Sequence, residues 1–191
     1  MSASSTDALI IRAQQGDAEA VATLYRDYAQ AIYRYIAYRV SNAADAEDLT
    51  AEVFLKMVEG LPGYRLTGAP FEAWLYRIAA ARIIDFRRRQ SRRPQTELTE
   101  TLTNGEPQPE EQLVQKREFA LLRGAMQELP PAHQTILLLR FVENKTHQEV
   151  AEILGKSVAA VKTAQYRALG QLASLLGSEE KVRHYLRGRH E

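Results

Sequence analysis

Arg82, Arg87, Arg88, Arg89, Arg92 and Arg93 share one short stretch in which Asp85 is the sole acid. Cations near a helix C-terminus are favoured by the macrodipole. Six exceed what capping needs, and such density points to a phosphate-binding surface. Tyr64, Phe71, Trp74 and Tyr76 lie just upstream, where aromatic faces would offer stacking surfaces to unpaired bases. Asp45, Glu47, Asp48 and Glu52 form a second chemical group, at a spacing that suits either a cation or an acid and base pair. No histidine or second carboxylate cluster supports those two uses. His133, His147, His184 and His190 are scattered and cysteine is absent, which removes thiolate, disulfide and cysteine-zinc chemistry and leaves no nucleophile and base pattern. No catalytic residue, metal or cofactor is therefore expected.

The most specific arrangement runs from Thr146 to Leu172. Thr146 is placed to cap a helix over His147 to Leu154, with Glu149 reaching back to the Thr146 N–H. Gly155 supplies the left-handed residue that ends it, and Ser157 caps the next helix. Val161, Ala164, Ala168, Leu172 and Leu175 recur at three- and four-residue steps and should face inward. Ala159, Lys162, Thr163, Tyr166 and Arg167 then face out, a set suited to phosphates and base edges in a major groove. Two helices on a three-residue turn with this outer face read as a DNA-reading helix-turn-helix, the alternative being an ordinary helical hairpin with a solvated charged face. Gly155-Lys156-Ser157 mimics the end of a phosphate loop, but Val150 stands where that motif needs glycine, and no strand precedes it.

These groups need helices to hold them, and apolar spacing is helical almost throughout. Val21, Leu24, Tyr28, Ile32, Tyr35 and Ile36 line one face behind the cap Asp17, and Asn42 starts a second long helix that Pro62 and Gly63 stop near Leu61. A loop from Pro62 to Pro70 leads to a third helix with Phe71, Trp74, Leu75 and Ile78 on one side. Beyond Ile78 the periodicity does not decide which of Ile83, Ile84 and Phe86 faces the core. Further helices are expected near Glu118 to Glu128 and Ala132 to Val142. The fold class is all-α, with two small helical domains joined by a flexible linker.

Charge divides the chain in the same way. Residues 1–93 carry 13 basic and 11 acidic side chains, residues 94–115 carry five acidic and no basic ones, and residues 116–191 carry 12 basic and eight acidic. The acidic stretch holds three prolines and one glycine and reads as a solvated linker. A polar tail follows over 178–191. Nucleic-acid affinity rests on local charge, so a net charge of +1 does not argue against it. No apolar run approaches the roughly 20 residues of a membrane helix, and the start lacks a signal-peptide pattern. A cytoplasmic protein with no membrane insertion is expected.

Three motifs in order, Asp45 to Leu55, Phe71 to Ala79 continuing through Ile84-Asp85-Phe86-Arg87-Arg88, and Leu129-Pro130-Pro131 through Phe141 into the helix-turn-helix, are the basis of a family resemblance. Over roughly residues 8–177 the chain resembles a bacterial RNA polymerase sigma factor of the extracytoplasmic-function group. The resemblance implies that Asp45, Glu47, Asp48, Leu49, Glu52 and Phe54 dock on core RNA polymerase. It implies that Tyr64, Arg65, Trp74, Arg77, Arg82, Arg87, Arg88 and Arg89 hold proximal promoter DNA, including a flipped base of the melted non-template strand. It gives duplex DNA of the distal element to Lys156, Ser157, Ala159, Lys162, Thr163, Tyr166 and Arg167, and an anti-sigma factor as a further partner. Ala51, Ala81 and the pair Ala164-Gln165 depart from the residues common in that family. The alternative is a free-standing helix-turn-helix regulator that binds duplex DNA without polymerase.

Overall fold

The computed structural model describes residues 3–92 and 110–177, together with Glu180 and Val182. All regular elements among them are helical. Helix α1 spans Ala3–Gln14, α2 Ala18–Ala37, α3 Ala43–Gly60 and α4 Phe71–Arg92, with a 3-10 turn at Leu61–Gly63. Helices α5 (Glu110–Glu128), α6 (Pro131–Leu137), α7 (His147–Leu154) and α8 (Val158–Leu176) follow, α6 running straight into a π-helical turn at Leu138–Val142.

Local chemistry sets most of these limits. The Asp17 carboxylate accepts from Glu19 N and Ala20 N at the start of α2, and Asn42 Oδ1 accepts from Asp45 N at the start of α3, so both caps satisfy N–H groups the helix itself cannot. Arg12 beside Asp17, with the backbone donors, holds that carboxyl below its ordinary pKa. Helix α1 was not anticipated from the sequence. Its large apolar residues, Leu9, Ile10 and Ile11, are consecutive and show no helical spacing, but Ile10 and Ala13 are buried where α1 packs on α2.

In the first half α2 packs on α1, α3 and α4, and α3 packs on α4. In the second half α5, α6 and α7 all pack on α8. Ile136, Leu137, Leu138 and Leu139 are four consecutive residues that are all buried. Successive α-helical side chains turn by about 100°, so the junction of α6 with the π-helical turn is enclosed on nearly every side, while Pro131 and Ala132 at the start of α6 are exposed. The expected helix over Ala132 to Val142 is thus one continuous rod whose last turn widens, with Glu143 N donating to Leu138 O. Helix α5 begins at Glu110, inside the stretch 94–115 read as linker, and residues 93–109 lie outside the described residues. Most of the tail 178–191 does too, although Val182 is described and is buried.

The two halves are packed against each other, which nothing in the sequence announced. Arg34 of α2 forms a two-pronged ion pair with Glu143, Nε to Oε1 at 2.7 Å and Nη2 to Oε2 at 2.6 Å. Lys145 Nζ meets Glu72 Oε1 of α4 at 2.8 Å. The Arg39 guanidinium donates to Thr135 Oγ1 at 2.8 Å and to Tyr35 O at 2.9 Å, and Gln127 Nε2 donates to Val40 O at 3.1 Å. Tyr38 and Phe119 meet edge to face, 5.2 Å apart. The hydrophobic core runs across this seam as one cluster.

Candidate nucleic-acid and polymerase interfaces

The helix-turn-helix forms as its sequence dictates. Thr146 Oγ1 accepts from Glu149 N at 3.2 Å while Glu149 Oε2 accepts from Thr146 N at 2.6 Å, the reciprocal box that settles two orphan donors. Those same bonds hold the Glu149 carboxyl below its ordinary pKa. Gly155 sits at φ +61°, a conformation that a Cβ would strain, and Ser157 Oγ accepts from Ala160 N at 3.2 Å. Chain direction therefore reverses within three residues.

Burial then sorts the faces of α8. Val161, Ala168 and Leu172 are fully buried and Ala164 is half-buried, whereas Lys156, Ser157, Ala159, Lys162, Thr163 and Arg167 are exposed. Tyr166 is 81% exposed, so its ring is open to contact. Leu175, expected to face inward, is 49% exposed instead. It lies in the last turn at the edge of the apolar stripe. Gln165, on the flank, accepts from Arg140 Nε at 3.1 Å, a tie invisible in sequence because α6 and α8 are separated by the whole of α7.

Around the Pro62–Pro70 loop, the Tyr64 and Trp74 rings pack at a tilt of 39° with centroids 4.7 Å apart, and Phe71 meets Tyr64 edge-on at 5.3 Å. Gly60 lets the indole come close: a Cβ there would lie 2.9 Å from Trp74 Cζ2. From the unanticipated α1, Gln14 Nε2 donates to Leu61 O and Tyr64 O at 3.0 and 2.7 Å and so anchors the loop's entry. Tyr64 and Trp74 remain half-buried, and Arg65 is exposed. Phe71 and Tyr76 are each 4% exposed. These two serve the core and offer no stacking face to bases, which leaves Tyr64 and Trp74 for that role. Burial, the main cause, also pushes the Tyr76 phenol well above its ordinary pKa.

The arginine-rich end of α4 resolves the ambiguity left by periodicity. Ile83 is buried, Phe86 half-buried and Ile84 exposed at 61%. Arg77, Arg88, Arg89 and Arg92 are exposed, while Arg82 and Arg87 are half-buried; Arg93 lies outside the described residues. Several already have internal partners. Arg82 and Arg88 flank Asp85 at 2.7 and 3.2 Å, Arg87 donates to Arg39 O at 3.2 Å, and Arg89 lies 3.7 Å from Glu52. Exposed ion pairs of this kind are weak, so they hold the cations in place without consuming them.

On α3, Glu47 and Asp48 are exposed and Asp45 and Glu52 half-buried. Leu49 and Phe54 are 2% and 5% exposed. Their side chains shape the helix from within, which corrects their expected place on the docking face. A hollow of about 270 Å³ is lined by Asp45, Asp48, Leu49 and Glu52 from α3 and by Phe86, Arg89 and Gln90 from α4. Acidic and basic groups expected to meet different partners are thus immediate neighbours. No described helix is long and apolar enough to cross a membrane.

Comparison with known proteins places this architecture. The family model Sigma-70 region 2 matches residues 24–93, and Sigma-70, region 4 matches residues 119–172. The ECF RNA polymerase sigma factor BldN of Streptomyces coelicolor is 37% identical over 91% of the chain and 66% of its own length. ShbA of Streptomyces griseus, also an ECF RNA polymerase sigma factor, is 33% identical over 88% of the chain and 93% of its own length. Among solved structures, CnrH in complex with the cytosolic domain of CnrY has a TM-score of 0.64 at 22% identity, covering 88% of this chain and 95% of that one. RpoE with the anti-sigma factor NepR from Bartonella quintana gives 0.56 at 16% identity, covering 81% and 95%. Both likenesses concern the fold. The relatives are polymerase factors and not free-standing regulators, so that alternative falls. With matches to both sigma regions and a relative covered nearly end to end, the chain belongs to the extracytoplasmic-function group of sigma-70 RNA polymerase sigma factors.

Proposed function

We propose that this sigma factor divides its work among three surfaces. The exposed carboxylates of α3, Glu47 and Asp48 with Asp45 and Glu52 beside them, dock on core RNA polymerase. Tyr64, Arg65, Trp74 and Arg77, with the arginines from Arg82 to Arg89, hold the proximal promoter where its strands separate. The outer face of α8 reads the distal element in the major groove. The observation that carries this reading is the sorting of α8: three core residues fully buried, with Lys162, Thr163, Tyr166 and Arg167 all turned to solvent.

The chain acts in the cytoplasm and performs no chemistry of its own; it lends binding energy and orientation to the polymerase. RpoE of Bartonella quintana is seen in complex with the anti-sigma factor NepR, and an anti-sigma protein is the corresponding partner here. Transcription reconstituted with core polymerase on promoter DNA tests the assignments. Lys162→Ala and Arg167→Ala should each weaken distal-element binding and reduce the salt slope by about one. Asp48→Asn with Glu52→Gln should lose polymerase with the circular dichroism spectrum unchanged. Wild-type transcription from all of these variants would overturn the residue assignments.

A further inference from the structure

A second hollow, of about 240 Å³, opens at the seam between the halves and is lined by Arg39, Val40, Ser41, Phe86, Arg87, Gln90 and Gln127. Its chemistry is unusual for an internal boundary. Arg39 is only 5% exposed, yet no carboxylate lies within 4 Å of it among the described residues. Its guanidinium has a carbonyl, a hydroxyl and the Tyr35 ring, 3.7 Å away, as partners. None of these carries negative charge. Arg87 lines the same hollow and donates to the Arg39 carbonyl, so two cations face one small space.

A buried charge without a counter-charge is costly, and a second cation beside it adds to the cost. Burial, with a smaller push from Arg87, lowers the Arg39 pKa to about 10. Even so, the group remains ionised at neutral pH. Val40 and Phe86 add an apolar wall, and no acid lines the hollow; the Ser41 hydroxyl and the Gln90 and Gln127 amides are groups that complete the coordination of an oxyanion whose charge two guanidiniums neutralise.

We propose that this hollow is a binding site for a small phosphate anion, held between Arg39 and Arg87. Its volume lies below the roughly 300–1,000 Å³ of pockets that enclose drug-sized ligands, which favours inorganic phosphate or pyrophosphate over a whole nucleotide. Arg39 and Ser41 follow α2, Arg87 and Gln90 belong to α4, and Gln127 belongs to α5. A ligand here touches both halves and strengthens their packing. The site lies away from the proposed promoter-reading face of α8 but shares Arg87 with the proposed proximal-promoter surface of α4, so its test uses the chain alone, without polymerase or DNA.

Isothermal titration of the full chain with inorganic phosphate, pyrophosphate and adenosine diphosphate, against chloride at matched ionic strength, tests this directly. Phosphate or pyrophosphate should bind and raise Tm, by roughly 5–10 °C at a hundred times the dissociation constant. Arg87→Gln should weaken binding about tenfold or more, whereas Arg26→Gln, which removes an exposed cation of α2 that pairs with Glu19, should leave it unchanged. Adenosine diphosphate binding tighter than pyrophosphate would overturn the inorganic anion as the ligand in favour of a nucleotide. Absence of binding by all three anions, or equal weakening by Arg87→Gln and Arg26→Gln, would overturn the site and leave Arg39 as a helix-end cap alone.

Discussion

Removing the Glu143 carboxylate is the sharpest test of how the halves are joined. Glu143 is 7% exposed at its side chain and Arg34 34%, and their two hydrogen bonds are 2.7 and 2.6 Å long. Deleting one partner of a fully buried pair costs about 3–5 kcal/mol, because the other charge is left stranded. Arg34 is a third exposed, so water recovers part of its solvation, and Glu143→Ala should cost about 2–3 kcal/mol. For a chain of this size that corresponds to a fall in Tm of roughly 4–12 °C. Urea unfolding of Glu143→Ala, Arg34→Ala and the double variant then gives the coupling, expected at about 1 kcal/mol or more for residues in direct contact. The Glu143 hydrogen bond raises the Arg34 pKa above its ordinary value. A raised cation contributes below its unfolded pKa and loses that contribution only as pH rises through the folded value, so the coupling should persist throughout the neutral range. A destabilisation under about 0.5 kcal/mol with no coupling would refute the claim that this pair fastens the seam.

Three further substitutions separate local from distant contributions. Thr146→Ala breaks the capping box and should cost about 1 kcal/mol, read by urea unfolding. Glu149 accepts from the Thr146 N–H, which alanine at 146 keeps; because Glu149 has a depressed pKa, its own share of the box is present above the ordinary glutamate range and is lost as pH falls through the folded value, so the stabilities of wild type and Glu149→Ala should converge in acid. Tyr76→Phe removes a buried hydroxyl that has no hydrogen-bond partner; thermal melting should show it neutral or stabilising by up to about 1 kcal/mol, and a clear loss would mean that the hydroxyl is satisfied.

What could be read from the sequence was whatever is decided within a few residues. Asp17, Asn42, Thr146 and Ser157 all cap the helices expected of them, because a cap needs only its own next three N–H groups. The outer face of α8 was legible for the same reason: one amphipathic stripe fixes both sides of a helix. Helix α1 was missed because a short segment whose large apolar residues, Leu9, Ile10 and Ile11, are consecutive carries little periodic signal, and it is held by α2 rather than by its own propensity. Ile83, Ile84 and Phe86 could not be sorted until α3 was in place beside them. Leu49 and Phe54 sit within a motif whose carboxylates face out, and a motif read as a block hides that alternation. Arg34 and Glu143 are 109 residues apart, and nothing local distinguishes them from other surface charges.

The departures from the family pattern acquire a physical reading once these distant contacts are known. Gln165, where leucine is common in the family, accepts a hydrogen bond from Arg140 Nε. Arg140 also donates through Nη1 to the carbonyl of Lys145, and the Lys145 ammonium reaches Glu72 in the first turn of α4. Leucine at 165 would offer Arg140 no acceptor, so this polar path from α4 to the recognition helix depends on the substituted residue. Its links differ in character. Glu72 and Lys145 are 16% and 24% exposed at their side chains and are weakly screened by salt, whereas the DNA contacts proposed for the exposed Lys162 and Arg167 are strongly screened. Raising ionic strength should therefore release DNA from α8 well before it loosens the orientation of α8 relative to α4. On the proposed reading α8 is placed by half-buried charge and engaged by exposed charge, and the two can be separated by salt alone.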